Sequence, residues 1–182
     1  MSSDTIERII QSAENQARTG GYHGFSFREI AKDIGIKSAS IHYHFPTKTD
    51  LATELAKRYT EKFNGHLQAI SDTDKGLEEQ LSSYTALFYH AIKNDQKMCL
   101  CGLFAAESEV LPKEVQTATR QFFEAQIQWL TDLMLHHRID LAEDKAIGLL
   151  ANLEGAMLLA KTFDSEDMFT RAINIQRYLA NT

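Results

Sequence analysis

Apolar residues near the start of the chain recur at Ile6, Ile9, Ile10, Ala13 and Ala17. This i, i+3, i+4, i+7, i+11 spacing makes one face of an α-helix. Gly20-Gly21 end it, because glycine enters the left-handed conformation at little cost. Ser26 and Glu29, three apart, form a capping box, with Phe25 and Ile30 placed as its hydrophobic staple. The helix they open buries Phe27, Ile30, Ala31 and Ile34, and Gly35 turns the chain sharply. A third, short helix follows with Ser38 as its expected cap and Ile41 as its inward anchor. Thr47 and Asp50 form another box, which places Lys48 in the first turn of a fourth helix. Leu51, Leu55, Tyr59, Phe63, Leu67 and Ile70 carry that helix far beyond the first three, so no flexible linker separates the two parts of the chain.

The pattern stays helical to the end. Asp72–Lys75 punctuates it, then Leu77, Leu81, Tyr84, Leu87, Phe88, Ala91 and Ile92 mark the next stripe. A short helix is expected around Cys99–Glu109. Pro112 opens a long one carrying Val115, Phe122, Phe123, Trp129, Leu130, Leu133 and Met134. Asp140 and Glu143 are placed to box the start of a helix over Ile147–Phe163, and Ser165 to cap a last one ending near Ala180. Only two prolines occur, and no stretch alternates apolar and polar residues long enough for a strand. The expected fold is all-α. A helix-turn-helix domain occupies residues 1–50, with its motif at 26–45. A helical effector-binding and dimerisation domain occupies residues 51–182.

Residues 26–45 carry most of the functional information. Ala31, Gly35 and Ile41 have the small-residue, turn and anchor spacing of two helices crossing closely. Lys37, Ser38, Ser40, His42, Tyr43 and His44 crowd the outer side of a helix about seven residues long. A short helix with such a face, presented by its partner, fits the major groove of double-stranded DNA. Lys37 can approach a guanine edge or a phosphate as a point charge, and Ser38 and Ser40 can bond either. Arg28 at the start of the second helix is placed to reach the backbone.

Charge changes this picture. The net charge is −6 over 182 residues, which argues against binding a polyanion with the whole chain. The distribution is uneven. Residues 1–62 hold nine Lys/Arg against eight Asp/Glu, and residues 63–182 hold ten against seventeen. Any DNA contact is therefore local to the first sixty residues. A surplus of one positive charge there implies modest affinity for one copy, which favours two copies acting together. No apolar run approaches the ~20 residues of a membrane span. Met1-Ser2-Ser3-Asp4 lacks the charged and apolar regions of a signal peptide, so the expected location is the cytoplasm.

The motif resembles the TetR/AcrR family of transcriptional regulators. The residues that carry the likeness are Phe27-Arg28-Glu29-Ile30-Ala31-Lys32-Asp33-Ile34-Gly35-Ile36, then Ile41-His42-Tyr43-His44-Phe45, then Lys48 and Leu51. The likeness is specific over about residues 4–52 and architectural beyond them. It implies phosphate contacts for Tyr43, His44 and Lys48. His42 stands where the family commonly has a tyrosine. It also implies a homodimer on a near-palindromic operator, with repression as the default. A small effector in the C-terminal domain would shift the fourth helix and spoil the spacing of the two DNA-reading helices.

Three further features bear on that expectation. Residues 147–160 are apolar nearly all round, with Gly148, Ala151, Gly155 and Ala156 allowing close crossings. Such a helix needs cover on every side, and pairing with a second copy supplies it. Tyr84, Phe88, Met98, Phe104, Trp129, Met157 and Phe163 are candidates to line a pocket for a hydrophobic or aromatic effector. Cys99 and Cys101 are expected to be thiols in a reducing compartment. Met98-Cys99-Leu100-Cys101-Gly102-Leu103, Ala106-Glu107 and Gly155-x5-Lys161 resemble segments of TetR regulators that sense electrophiles or oxidants. Lys161 near Cys99 would then stabilise its thiolate; the alternative is a buried, inert cysteine. His90, His136 and His137 lack a recognised metal spacing, so neither metal nor cofactor is expected. Two rival functions remain: a helical protein-interaction module without DNA readout, and an enzyme with Cys99 as nucleophile, for which no segment supplies an oriented base.

Overall fold

The fold is taken from a computed structural model, which describes residues 3–94 and 96–179. The helices are α1 (Ser3–Gly20), α2 (Phe27–Ile34), α3 (Ser38–His44), α4 (Lys48–Ser71), α5 (Leu77–Lys93) and α6 (Leu100–Ala106), followed by α7 (Lys113–His136), α8 (Ala142–Thr162), α9 (Glu166–Ala172) and α10 (Gln176–Leu179). Single 3₁₀ turns lie at Tyr22–Gly24 and Ser108–Val110. The architecture is all-α, with an N-terminal helix-turn-helix and a C-terminal helical part.

The chain packs as two compact units. One comprises residues 1–60 with 100–122, the other residues 61–99 with 123–182. The division at residue 50 expected above follows the motif. The packing instead draws α6 and the first half of α7 into the unit that carries α1–α3.

In the first unit, α1 packs on α2 and α6, and α2 packs on α3. Ile9, Ala13, Phe25, Ile30, Ile41, Leu51 and Leu55 form its core. The end of α2 is fixed twice over. Gly35 is left-handed (φ 70°), and its N–H and that of Ile36 both bond to the Ala31 carbonyl, the first as in the αL motif and the second as in the Schellman motif. Arg8 of α1 donates to the Ile34 carbonyl, satisfying one of the acceptors a helix C-terminus leaves open. In the second unit, α8 packs on α5 and α9, and α5 also meets α9 and α10. Leu81, Tyr84, Leu149, Leu153 and Met157 are buried there.

Three expected helix ends differ. Lys37, not Ser38, is the N-cap of α3, so Ser38 is its first helical residue and makes no capping bond. The N-cap of α8 is Leu141, held left-handed at φ 52°, rather than Asp140, and no side chain caps there. Ser165 does stand at the N-cap of α9, without a side-chain bond. The single last helix is two, because Ile173 leaves α9 in extended backbone before α10 begins. Ala180 lies outside the described residues.

No atom lies within 4 Å of where a Cβ at Gly35 would sit, so its substitution tests backbone conformation alone. Gly35→Ala is expected to lower stability by about 1–2 kcal/mol, the cost of a left-handed L-residue, as a drop in the urea midpoint. An unchanged midpoint contradicts the role of this turn.

Candidate functional site

Local bonds set the outward face of α3. Ser26 Oγ accepts the Glu29 N–H at 3.2 Å and starts α2. Thr47 and Asp50 close a reciprocal box: Thr47 N–H donates to Asp50 Oδ2 at 2.9 Å, and Asp50 N–H to Thr47 Oγ1 at 3.1 Å. Ile41 and Phe45 point inward. Lys37, His42 and Tyr43 are left exposed, Tyr43 at 78% of its surface, while Ser38, Ser40 and His44 are half-buried. His42 Nδ1 lies 3.3 Å from the Pro46 carbonyl, and its ring meets Phe27 edge-on at 4.6 Å. Nδ1–H donating to that carbonyl turns Nε2 into the acceptor. His44 Nε2 is closed off, with no hydrogen-bond partner among the described residues. Arg28 is exposed and paired with Glu29 at 3.3 Å.

Lys48 is placed differently. Its ammonium sits over the rings of Tyr22 and Phe25, 4.7 and 4.6 Å from their centroids, a cation–π arrangement. Burial lowers its pKa and the Glu107 carboxylate counters that. Glu107 Oε2 also accepts the Tyr22 N–H at 3.2 Å. Gly21, at φ 67°, makes room for this contact, since a side chain there would collide with the same carboxylate. Glu107 and Tyr22 stand 85 residues apart. Sequence spacing carries no signal for such a contact.

In the second unit, Tyr84 gathers several of the expected pocket residues. Its ring stacks on Trp129 at 5.4 Å and meets Phe88 edge-on at 5.4 Å; Phe63 meets Tyr84 and Phe88 edge-on. Trp129 Nε1 donates to Ser71 Oγ at 2.9 Å. Met98 and Met157 are buried. Two candidates have other surroundings. Phe104 belongs to the first unit, against Tyr22 at 6.3 Å. Phe163 is at the end of α8 and 60% exposed.

A polar group among these rings also escaped the sequence reading. The Tyr84 hydroxyl donates to Gln126 Oε1 at 2.6 Å, and both residues are buried. The Cys99 thiol hydrogen-bonds the Glu154 carboxyl. Burial raises the Glu154 pKa to about 7, partly offset by that bond. Burial also pushes the Tyr84 phenol well up, with Glu154 and Cys99 adding to the effect. The available signal was that Glu154 is the lone charge between residues 146 and 160. Both cysteines are buried and unbridged. Lys161 is exposed, and its ammonium donates to the Gln96 carbonyl at 2.8 Å. The group bonded to Cys99 is thus a carboxyl, which opposes a thiolate where a lysine would favour it.

The opposite side of α8 is apolar and bare. Ile147, Ala151, Gly155, Leu158 and Leu159 are exposed at helical spacing, Leu158 to 59%. Among the described residues no helix is long and apolar enough to cross a membrane.

Comparison with known proteins accounts for both parts of the chain. Residues 9–55 match the family model for bacterial regulatory proteins of the tetR family. Residues 78–174 match the C-terminal domain of LmrA/YxaF-like transcriptional regulators. The chain belongs to the TetR family. As a TetR-family protein it is a DNA-binding transcriptional regulator. It is similar to the HTH-type transcriptional regulator LmrA of Bacillus subtilis (strain 168), 24% identical over 166 residues and 87% of each chain. It is also similar to the crystal structure of a TetR transcriptional regulator from Legionella pneumophila, at 34% identity, 94% of each chain and a TM-score of 0.90. A TetR-family regulator from Agrobacterium tumefaciens has 30% identity over 96% of this chain and 97% of its own, also with a TM-score of 0.90. TetR regulators are not enzymes in general.

The Glu154 pKa fixes a pH dependence. A carboxyl near 7 when folded and near 4.5 when unfolded binds more protons in the native state across that window. Its contribution to stability is therefore lost as pH rises from about 4.5 to 7. Glu154→Gln is expected to become more stable relative to the parent over that range, by up to about 3 kcal/mol. Urea titrations at pH 4.5, 6 and 8 measure this; a pH-independent difference contradicts it.

Proposed function

We propose that this TetR-family regulator is a cytoplasmic repressor. It binds a near-palindromic operator as a homodimer and leaves it when a small hydrophobic effector enters the second unit. The observation that carries the DNA-reading part is the outward face of α3, where Lys37 and Tyr43 stand free of the core while Ile41 anchors the helix beneath them. Lys37, Ser38, Ser40 and His42 are the groups for base edges, and Arg28, Tyr43, His44 and Lys48 those for phosphates. To reach a phosphate, Lys48 has to leave the faces of Tyr22 and Phe25.

The apolar side of α8 supports the dimer. A second copy covers Ile147, Leu158 and Leu159 by the same face, and Ala151 and Gly155 let the helices approach. Two heads on one side of the duplex then meet half-sites about one helical turn apart, or slightly more. Tyr84, Phe88, Trp129, Met98 and Met157, all of the second unit, are the effector residues supported best. The burial of Cys99 beside Glu154 favours effector release over release by thiol modification.

Lys48→Ala is expected to weaken binding to operator and random DNA alike. It should lower the slope of log affinity against log salt by about one, as fluorescence anisotropy measures. An unchanged slope removes Lys48 from the phosphate contacts. Leu158→Asp places a charge on the apolar face of α8, and light scattering at micromolar concentration is expected to show a monomer with weakened operator binding. A dimer that persists places the interface elsewhere.

A further inference from the structure

The core of the second unit holds polar atoms that its own residues leave unsatisfied. Gln126 is fully buried. Its Oε1 is taken by the Tyr84 hydroxyl, while its Nε2 has no hydrogen-bond partner among the described residues. Glu154 Oε1 is equally closed off and equally unpartnered. The Glu154 carboxyl is hydrogen-bonded by the Cys99 thiol, a weak donor. Aromatic faces lie close by, with Tyr84 stacked on Trp129 and in contact with Phe88. Enclosed polar atoms are ordinarily paired, and an exception calls for an explanation.

We propose that Glu154 and Gln126 are the polar end of the effector site, and that the effector is a small aromatic cation. Its ammonium meets Glu154 Oε1 and its ring packs among Tyr84, Phe88 and Trp129. The proposal rests on the effector-regulated function above and adds the chemical class. An anion is repelled by the carboxylate. A neutral hydroxyl satisfies the acceptor but leaves a buried charge uncompensated. A cation does both, and the quadrupoles of the surrounding rings attract it. Gln126 Nε2–H remains to donate to an oxygen on the same ligand. The carboxyl, whose pKa burial raises to about 7, is held fully in its ionised form by such a ligand.

Trp129 is the only tryptophan in the chain and stacks on Tyr84, so its emission reports binding beside it. The full-length protein is titrated at pH 7.5 with 4-phenylbutylamine and with neutral 4-phenylbutanol. Operator DNA selected from random sequence is titrated in parallel with the same preparation. The expected result is that the amine binds about tenfold more tightly than the alcohol or better. Glu154→Gln should bring the two within about a factor of two, and Glu154→Asp, which keeps the charge, should keep the preference. Equal binding of amine and alcohol, a preference that survives in Glu154→Gln, or no response to the amine up to about 10 mM overturns the assignment. Failure of the unmodified protein to bind any selected DNA is a separate result, which overturns the regulatory function instead.

Discussion

A seven-residue helix does not hold its shape in water, because nucleation costs more than so few bonds return. The face proposed to read DNA rides on such a helix, so the surroundings of α3 must supply the order that its own bonds do not. Before it, Gly35 and the Ala31 carbonyl stop α2 and turn the chain. After it, Thr47 and Asp50 start α4 at once. Between these punctuation marks, Ile41 and Phe45 dock α3 onto the core. The groups of α3 proposed for DNA inherit their position from those few contacts. The outer residues can therefore be polar and exposed without loosening the fold.

The second unit shows the opposite economy. There the apolar core encloses polar groups, of which Tyr84 and Gln126 bond each other. A carboxyl, a carboxamide and a phenol buried together are disfavoured unless each finds its full complement of partners. Glu154 pairs with a weak donor, and among the described residues Gln126 Nε2 finds no partner. Local instability of this kind is tolerated where a protein binds something. The unpartnered Gln126 Nε2 and Glu154 Oε1, and not the aromatic stripe alone, single out this part of the core.

The sequence made the motif legible because caps, turns and helix anchors act between near neighbours. Ser26 with Glu29, Gly35, and Thr47 with Asp50 are separated by three residues or fewer from what they act on or fall at a single position, and all behave as expected. Contacts made through space were hidden. Glu107 with Tyr22 joins positions with no periodic relation, and so does Glu154 with Cys99. The proximity of Lys161 to Cys99 was inferred from resemblance rather than chemistry, and the lysine instead bonds the Gln96 carbonyl. The ends of α8 and of the last helix were misjudged for a related reason. Leu141 accepts a left-handed conformation and Ile173 an extended one, neither of which its residue type announces.

The regulatory account depends on two copies acting as one, since a single head with nine cationic and eight acidic side chains in its first 62 residues has little charge with which to hold a duplex. Sedimentation equilibrium of the protein on a selected operator, paired with hydroxyl-radical footprinting of the same complex, tests this most directly. The account predicts two chains of 20.6 kDa per operator, with two protected patches related by a dyad on one face of the DNA. One chain per operator, with a single unsymmetrical patch, contradicts it.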